Sequence, residues 1–305
     1  MLRFCHYEER RSNPINIIMR LQRSQINLLP RNDSITTISD SNFIGNQAGT
    51  WGGAIATRGI SNGNSGTNSS LTVKGGSFNE NEAKYGGAIA SSVETTIQNT
   101  EFVNNTSTVR GGAVYSNNNN SLSITDSNFI GNDSYLGGAG FLSNGEINVK
   151  NSNFTNNTAT YGGAMYTTTS PDAHLNIENS TFDGNSAEEV GAIGIISNAS
   201  IKNSTFKNNV AASTASDSDG AGALFLGAVS DTNITGSETQ NTVFENNQSG
   251  ARGGAISTRR ASLANNSAAK LDITNTTFKG NSAQTTGGAL DNYFYNPSLK
   301  LKLLL

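Results

Sequence analysis

A chain of 305 residues can bury one large core or stack many small ones. Hydrophobic residues make up only 34% and charged residues 14%, and Asn, Ser, Thr and Gly fill the deficit, so internal periods are the first thing to look for. The net charge of −3 hides a basic start: six of the twenty Lys and Arg residues fall in the first 31 positions, leaving 14 basic and 21 acidic residues (−7) from residue 32 on, a balance that disfavours nucleic acid as a partner.

Residues 1–31 read as an atypical leader. Their longest apolar run, Ile17 to Met19, is too short for a signal-peptide core, and no small-residue cleavage site follows. Three readings stay open: a non-native start, a basic tail, or a short amphipathic helix through Ile15, Ile18, Leu21 and Ile26 that caps a stack. Cys5 is the only cysteine, so no disulfide, CxxC pair or zinc pattern can form within the chain.

Residues 32–291 repeat one unit nine times. Its anchors are Phe43, Phe78, Phe102, Phe129, Phe154, Phe182, Phe206, Phe244 and Phe278. Three residues after each stands an Asn: Asn46, Asn81, Asn105, Asn132, Asn157, Asn185, Asn209, Asn247 and Asn281. Ala or Ser follows two residues later, and Ser or Thr stands two residues before the Phe except at Gly76. Asn or Asp stands three before it except at Gly75, and Ile or Val five before it except at Thr239. A Gly-Gly-Ala triplet closes most units, eroded to Val190-Gly191-Ala192 and Ala221-Gly222-Ala223 in two.

The segments between these marks are short and alternate apolar with polar, as in Leu122-Ser-Ile124 and Leu175-Asn-Ile177, the period of a half-buried strand. No segment keeps a 3.6-residue apolar period. The expected fold is all-β: a parallel β-helix (solenoid) of about nine coils, with three short strands per coil and successive coils about 4.8 Å apart. Ile or Val and Phe point inward in columns that no single unit can bury alone. The Asn and Asp residues flanking the Phe strand are expected to take left-handed turn geometry, and the nine Asn residues after Phe to bond one another in a structural ladder. Gly-Gly allows close approach of one wall to the core.

Extra chain is tolerated at four places. Residues 57–70 and 258–269 both follow Gly-Gly-Ala-Ile and are expected on one edge; residues 210–220 fall at the other turn, and a smaller extension spans 229–242. Loops on a rigid stack are where binding residues usually sit. Residues 292–305 alternate like one strand, or are a truncated end, and no stretch approaches the roughly 18 apolar residues of a membrane helix.

The pairing of Phe-x-x-Asn with Gly-Gly-Ala-[Ile/Leu/Val] resembles the repeats of the polymorphic outer-membrane proteins first described in chlamydiae, and similar repeats of bacterial adhesin-like proteins. The resemblance spans roughly residues 35–291. It implies a right-handed parallel β-helical passenger, displayed on the outer surface by a C-terminal autotransporter barrel, with an adhesive role attributed to these motifs. A monomer that binds a host-cell surface protein or glycan is the expectation that follows. Neither a signal peptide nor a barrel is recognisable in the sequence.

Chemistry is sparse. A lyase or hydrolase β-helix needs clustered carboxylates on one face, and the Asp residues here are accounted for by turns. Glu188-Glu189 with Asp183 forms either an acidic patch or solvated turn charges. Asp217 and Asp219 alternate as a weak Ca²⁺ ligand pair would, without the rest of a calcium loop. His174 is the only histidine in the repeat domain and stands at a strand edge. The expectation is a non-enzymatic protein without cofactor; the alternatives are a polysaccharide-active enzyme and a structural stalk. Candidate ligand contacts are Arg58, Arg259 and Arg260 in the two insertions, with Arg110 and Arg252 before Gly-Gly pairs, as a basic ridge for acidic glycans. Trp51, Tyr85 and Tyr161, also just before Gly-Gly, either face outward as a stacking surface for sugars or complete a hydrophobic corner.

Overall fold

The computed structural model describes residues 15–17, 21–22, 26–28, 35–57, 69–117, 120–142, 145–168, 173–215, 220–227, 231–235, 237, 240–258 and 270–292. Among the described residues every element is a strand, and every ladder is parallel. The chain winds as a β-helix in which each residue pairs with its equivalent one repeat away: Phe102 with Phe78 and Phe129, Ile97 with Val73 and Ile124.

The expected count of coils and strands needs correction. Among the described residues three sheets hold ten strands each, and a fourth sheet holds eight, so neither nine coils nor three strands per coil describes the ladders. The fourth ladder runs through Glu82–Tyr85, Thr106–Arg110 and Asp133–Leu136, in the stretch between Asn and Gly-Gly that reads as a turn. It forms because a stretch lying flat against the neighbouring coil must pair its backbone groups there, whatever its side chains are. The tenth strand of each large sheet comes from Ile15–Ile17, Leu21–Gln22 and Ile26–Leu28, which pair with the first Phe-anchored coil. These segments are strands, not the amphipathic helix considered for them, since pairing with an open sheet edge satisfies more backbone groups than an isolated helical turn.

The interior is built of columns. All nine anchor Phe rings form one stack, with centroids 4.6 to 5.0 Å apart and planes within 3° to 9° of parallel. That spacing is the inter-strand spacing, so the sheet dictates the ring geometry. Each fully buried Phe contributes about 2 kcal/mol of transfer free energy.

The Asn column beside it is a continuous amide ladder. Each Nδ2 donates to Oδ1 of the Asn in the following coil at 2.8 to 3.0 Å, from Asn46 to Asn281. From Asn81 onward, each Nδ2 also donates to the carbonyl of the Phe in the preceding coil. The backbone N–H of each Asn reaches the same neighbouring Oδ1. Every hydrogen-bonding group of a central Asn is thereby satisfied in the core, where an orphaned one costs about 1–3 kcal/mol.

The corners lie elsewhere than the Asn ladder. Left-handed φ occurs two residues after Phe in all nine units: Gly45, Glu80, Asn104, Gly131, Asn156, Gly184, Asn208, Asn246 and Gly280. It also occurs three residues before Phe, at Asp40, Gly75, Asn99, Asp126, Asn151, Asn179, Asn203 and Asn275. The expected left-handed Asn after Phe is therefore displaced by one residue: the turn residue precedes the ladder Asn, whose amide is committed to the neighbouring coil. The Ser or Thr two residues before Phe forms a second, hydroxyl column. Ser127, Ser152, Ser180 and Ser204 each donate to the carbonyl two residues back and accept the N–H of the equivalent residue in the preceding coil.

The two glycines of Gly-Gly do different work. The first takes left-handed φ, as at Gly86, Gly111 and Gly137. The second lies against the next coil, so that a Cβ on Gly138 would sit 2.0 Å from the carbonyl oxygen of Gly163 and 2.5 Å from that of Thr158. The eroded triplets follow this division. Val190 and Ala221 replace the first glycine, while Gly191 and Gly222 keep the second, with equally close approaches.

Candidate functional site

Since the columns of the repeat point inward, what differs between coils faces outward. The residue before Gly-Gly lies in the fourth sheet or at its end, and Trp51, Tyr85, Arg110, Leu136 and Tyr161 line up there, one per coil. They are half-buried. Trp51 and Tyr85 stack on each other with centroids 4.6 Å apart. Their rings thus face along the stack and turn their edges toward solvent, because side chains at equivalent positions repeat at the strand spacing.

A second column, two residues beyond Gly-Gly-Ala, completes the cluster. Ala90, Tyr115 and Phe141 are buried although strand alternation points them outward, because Trp51, Tyr85, Leu136 and Tyr166 fold over them. Tyr115 lies 5.6 Å from Trp51 and 5.7 Å from Phe141, and Tyr166 is 6.0 Å from Phe141. Sequence reading passed over Tyr115, Phe141 and Tyr166. The available signal was the break in alternation at Ala113-Val114-Tyr115 and Ala164-Met165-Tyr166, a continuous apolar run where one face ought to be polar.

Tyr161 packs edge-on to Tyr135 and Tyr166. Burial, then the neighbouring Tyr135 and the carboxylates of Glu189 and Glu188, push its hydroxyl above the ordinary tyrosine pKa. Tyr135 is half exposed.

Arg110 is the polar member of this ridge. Its guanidinium carbon stands 4.7 Å from the Phe141 ring centroid, within cation–π range. Its Nε is buried with no hydrogen-bond partner. Lys84, one coil earlier, is exposed and stands 5.4 Å from the Tyr85 ring centroid. Neither cation has a carboxylate partner among the described residues. Lys84 lines an open depression of about 360 Å³ together with Gln47, Ala48, Gly49, Glu82, Ala83 and Thr108.

The remaining candidates fall apart or outside. Arg58, Arg259, Arg260, Asp217 and Asp219 lie outside the described residues, as do residues 58–68 and 259–269 of the two insertions. Arg252 pairs in register with Thr286, far along the stack from Arg110. Asp183 is engaged by Lys207 at 3.2 Å and by Asn208 at 2.9 Å, while Glu188 is exposed. His174 opens the strand His174–Glu178, in register with Glu146 and Asn198. Among the described residues no group of three or more His, Cys, Asp or Glu is placed to hold a metal ion, and no helix is long and apolar enough to cross a membrane.

Comparison with known proteins agrees with the geometry. Residues 40–58, 99–117, 241–259 and 275–293 match the family model of the Chlamydia polymorphic membrane protein repeat. Each match begins at the residue three before Phe and ends just past the strand that follows Gly-Gly-Ala. The four matched units are those in which Phe and the first Gly are nine residues apart, as in Phe43 to Gly52 and Phe102 to Gly111. Searches of the curated proteins and of the solved structures return no match. The chain is a parallel β-helix that carries Chlamydia polymorphic membrane protein repeats.

Proposed function

We propose that this chain is a surface-exposed, non-enzymatic passenger segment that binds a protein or glycan on another cell. The observation that carries the reading is the recurrence of the polymorphic membrane protein repeat in four units, a repeat whose family belongs at the outer membrane or cell surface. The division of residues supports it. Phe, Asn, Ser and Gly-Gly are occupied in holding coils together, and the chemical variety lies in the outward column from Trp51 to Tyr161 and in the insertions. A rigid rod with variable edges suits adhesion better than catalysis, which needs convergent acid and base groups.

The test is saturable binding of the purified full chain to cultured epithelial cells, with unlabelled chain as competitor. Saturable, competed binding is the expected result. Binding that stays linear with concentration and is not competed contradicts the proposal.

A further inference from the structure

We infer that the depression across the first three Phe-anchored coils is a binding site for a carboxylated sugar, held by Lys84 in its lining and by Arg110, two residues beyond the lining residue Thr108 on the same strand. The inference rests on the adhesive reading above and names the ligand class and the residues that take it.

Three features of the structure converge. The first is the run of unit lengths. Between Asn and Gly-Gly the first and third units carry one residue more than the second, as in Gln47 to Trp51 and Thr106 to Arg110 against Glu82 to Tyr85. The extra residue produces a register shift between Ser107 and Arg110 on both sides of that strand. A bulge re-aims the side chain that follows it, here Arg110. With longer chain on either side, the strand Glu82–Tyr85 forms the floor of the depression.

The second feature is charge. The body of the chain is acidic, yet Lys84, which lines the depression, and Arg110, whose guanidinium lies over Phe141 in the following coil, have no carboxylate partner among the described residues. The one carboxylate lining the depression, Glu82, is held by Gln47 Nε2 at 3.1 Å. Three cations on the sheets are paired across coils, Lys150 with Glu178, Lys207 with Asp183 and Lys279 with Glu245. A guanidinium stacked on a ring is suited to two parallel hydrogen bonds to a carboxylate.

The third feature is the lining. Gln47 and Thr108 provide amide and hydroxyl groups, and Ala48 and Gly49 line the depression without bulk. A volume of about 360 Å³ lies in the lower range of small-ligand sites. Hydroxyl-rich ring plus carboxylate is the chemistry that uses all of these groups. An acidic peptide would use the cations and leave the rest idle.

Calorimetric titration of the full chain with a hyaluronan tetrasaccharide, 3′-sialyllactose and neutral lactose tests this. The first two separate uronate from sialate as the source of the carboxylate. Saturable binding of at least one acidic probe, none of lactose, and weakening as salt rises are expected. Arg110→Gln should weaken binding about tenfold or more and Lys84→Gln about fivefold. If Arg110→Gln fails to fold, exposed Lys84→Gln and the salt dependence decide. No binding of either acidic probe, equal binding of lactose, or wild-type affinity in the folded variants overturns the inference, as does preference for an Asp- and Glu-rich peptide. Cell binding that persists while both acidic probes fail removes this site and leaves the adhesive reading standing. Probe binding without cell binding does the reverse.

Discussion

Asn132 donates from Nδ2 to Oδ1 of Asn157 at 2.9 Å and, with the other hydrogen, to the carbonyl of Phe102 at 3.1 Å. One side chain thus ties three successive coils, and its Oδ1 accepts two hydrogen bonds from Asn105. Asn132→Ala leaves the Asn105 donors and the Phe102 carbonyl without partners, a cost of about 3 kcal/mol or more. Asn132→Asp keeps the shape, loses both donors and buries a charge, so it should be at least as damaging above the carboxylate pKa. Thermal unfolding checks both. A full melting temperature for Asn132→Ala would contradict the ladder's role.

The two glycines before each Ala should respond differently to Ala. A Cβ at Gly138 meets backbone of the next coil, which cannot move without opening the stack, and about 3 kcal/mol is expected for Gly138→Ala. At Gly137 the obstacle is mainly its own turn, with left-handed φ and the Gly140 carbonyl in the way; Val190 and Ala221 stand at the equivalent position without left-handed φ, so a side chain there goes with a changed turn. About 1–2 kcal/mol is expected there. Denaturant titration of the pair gives the order directly.

Glu80 is the one residue two after Phe that is neither Gly nor Asn, yet it holds φ 55°. It is exposed, so little packing offsets the strain. Glu80→Gly or Glu80→Asn should raise stability by about 0.5–1 kcal/mol. An unchanged or lower melting temperature for both would show that the turn does not strain Glu80.

Tyr161 ties the outer ridge to alkaline pH. Its pKa is raised in the folded state, by burial first and then by Tyr135, Glu189 and Glu188. The neutral form is the one favoured by folding. Its contribution is therefore complete below the ordinary tyrosine pKa near 10 and is lost as pH rises through the higher folded value. Tyr161→Phe should flatten that part of the stability–pH curve, read from melting temperatures between about pH 9 and pH 12.

How far the sequence reaches is clear from particular residues. Phe129 follows Ile124 by five residues, an offset from Ile or Val to Phe that holds in every unit but the one with Thr239, and a parallel stack is what such recurrence imposes, so the fold class was legible. The fourth ladder was not, because Glu82–Tyr85 and Thr106–Arg110 are paired by backbone groups that leave no residue preference. The true second corner was hidden for another reason: Gly, Asn and Glu alternate two residues after Phe, while the invariant Asn one residue on drew the turn assignment to itself. In the outer ridge, Trp51, Tyr85 and Tyr161 could be singled out from their place before Gly-Gly. Tyr115 was marked only by the apolar run Ala113-Val114-Tyr115, and the burial of Tyr115 and Phe141 comes from the rings of the neighbouring column that cover them. Arg110 stood out by position alone; its stacking on Phe141 and its orphaned Nε belong to the packed state.

The central claim is that the columns build the coil and the outward variation binds. It is tested most directly by one cell-binding titration of the full chain against the same chain with residues 58–67 and 259–267 removed, which leaves two-residue connections like Ser92-Val93, and Arg110→Gln introduced. Shortening loops on a pre-built stack changes closure entropy by only about 0.6 kcal/mol per halving, so the melting temperature should fall by no more than a few degrees. The account predicts that cell binding drops about tenfold or more in the folded variant. Undiminished binding by a folded variant would contradict it.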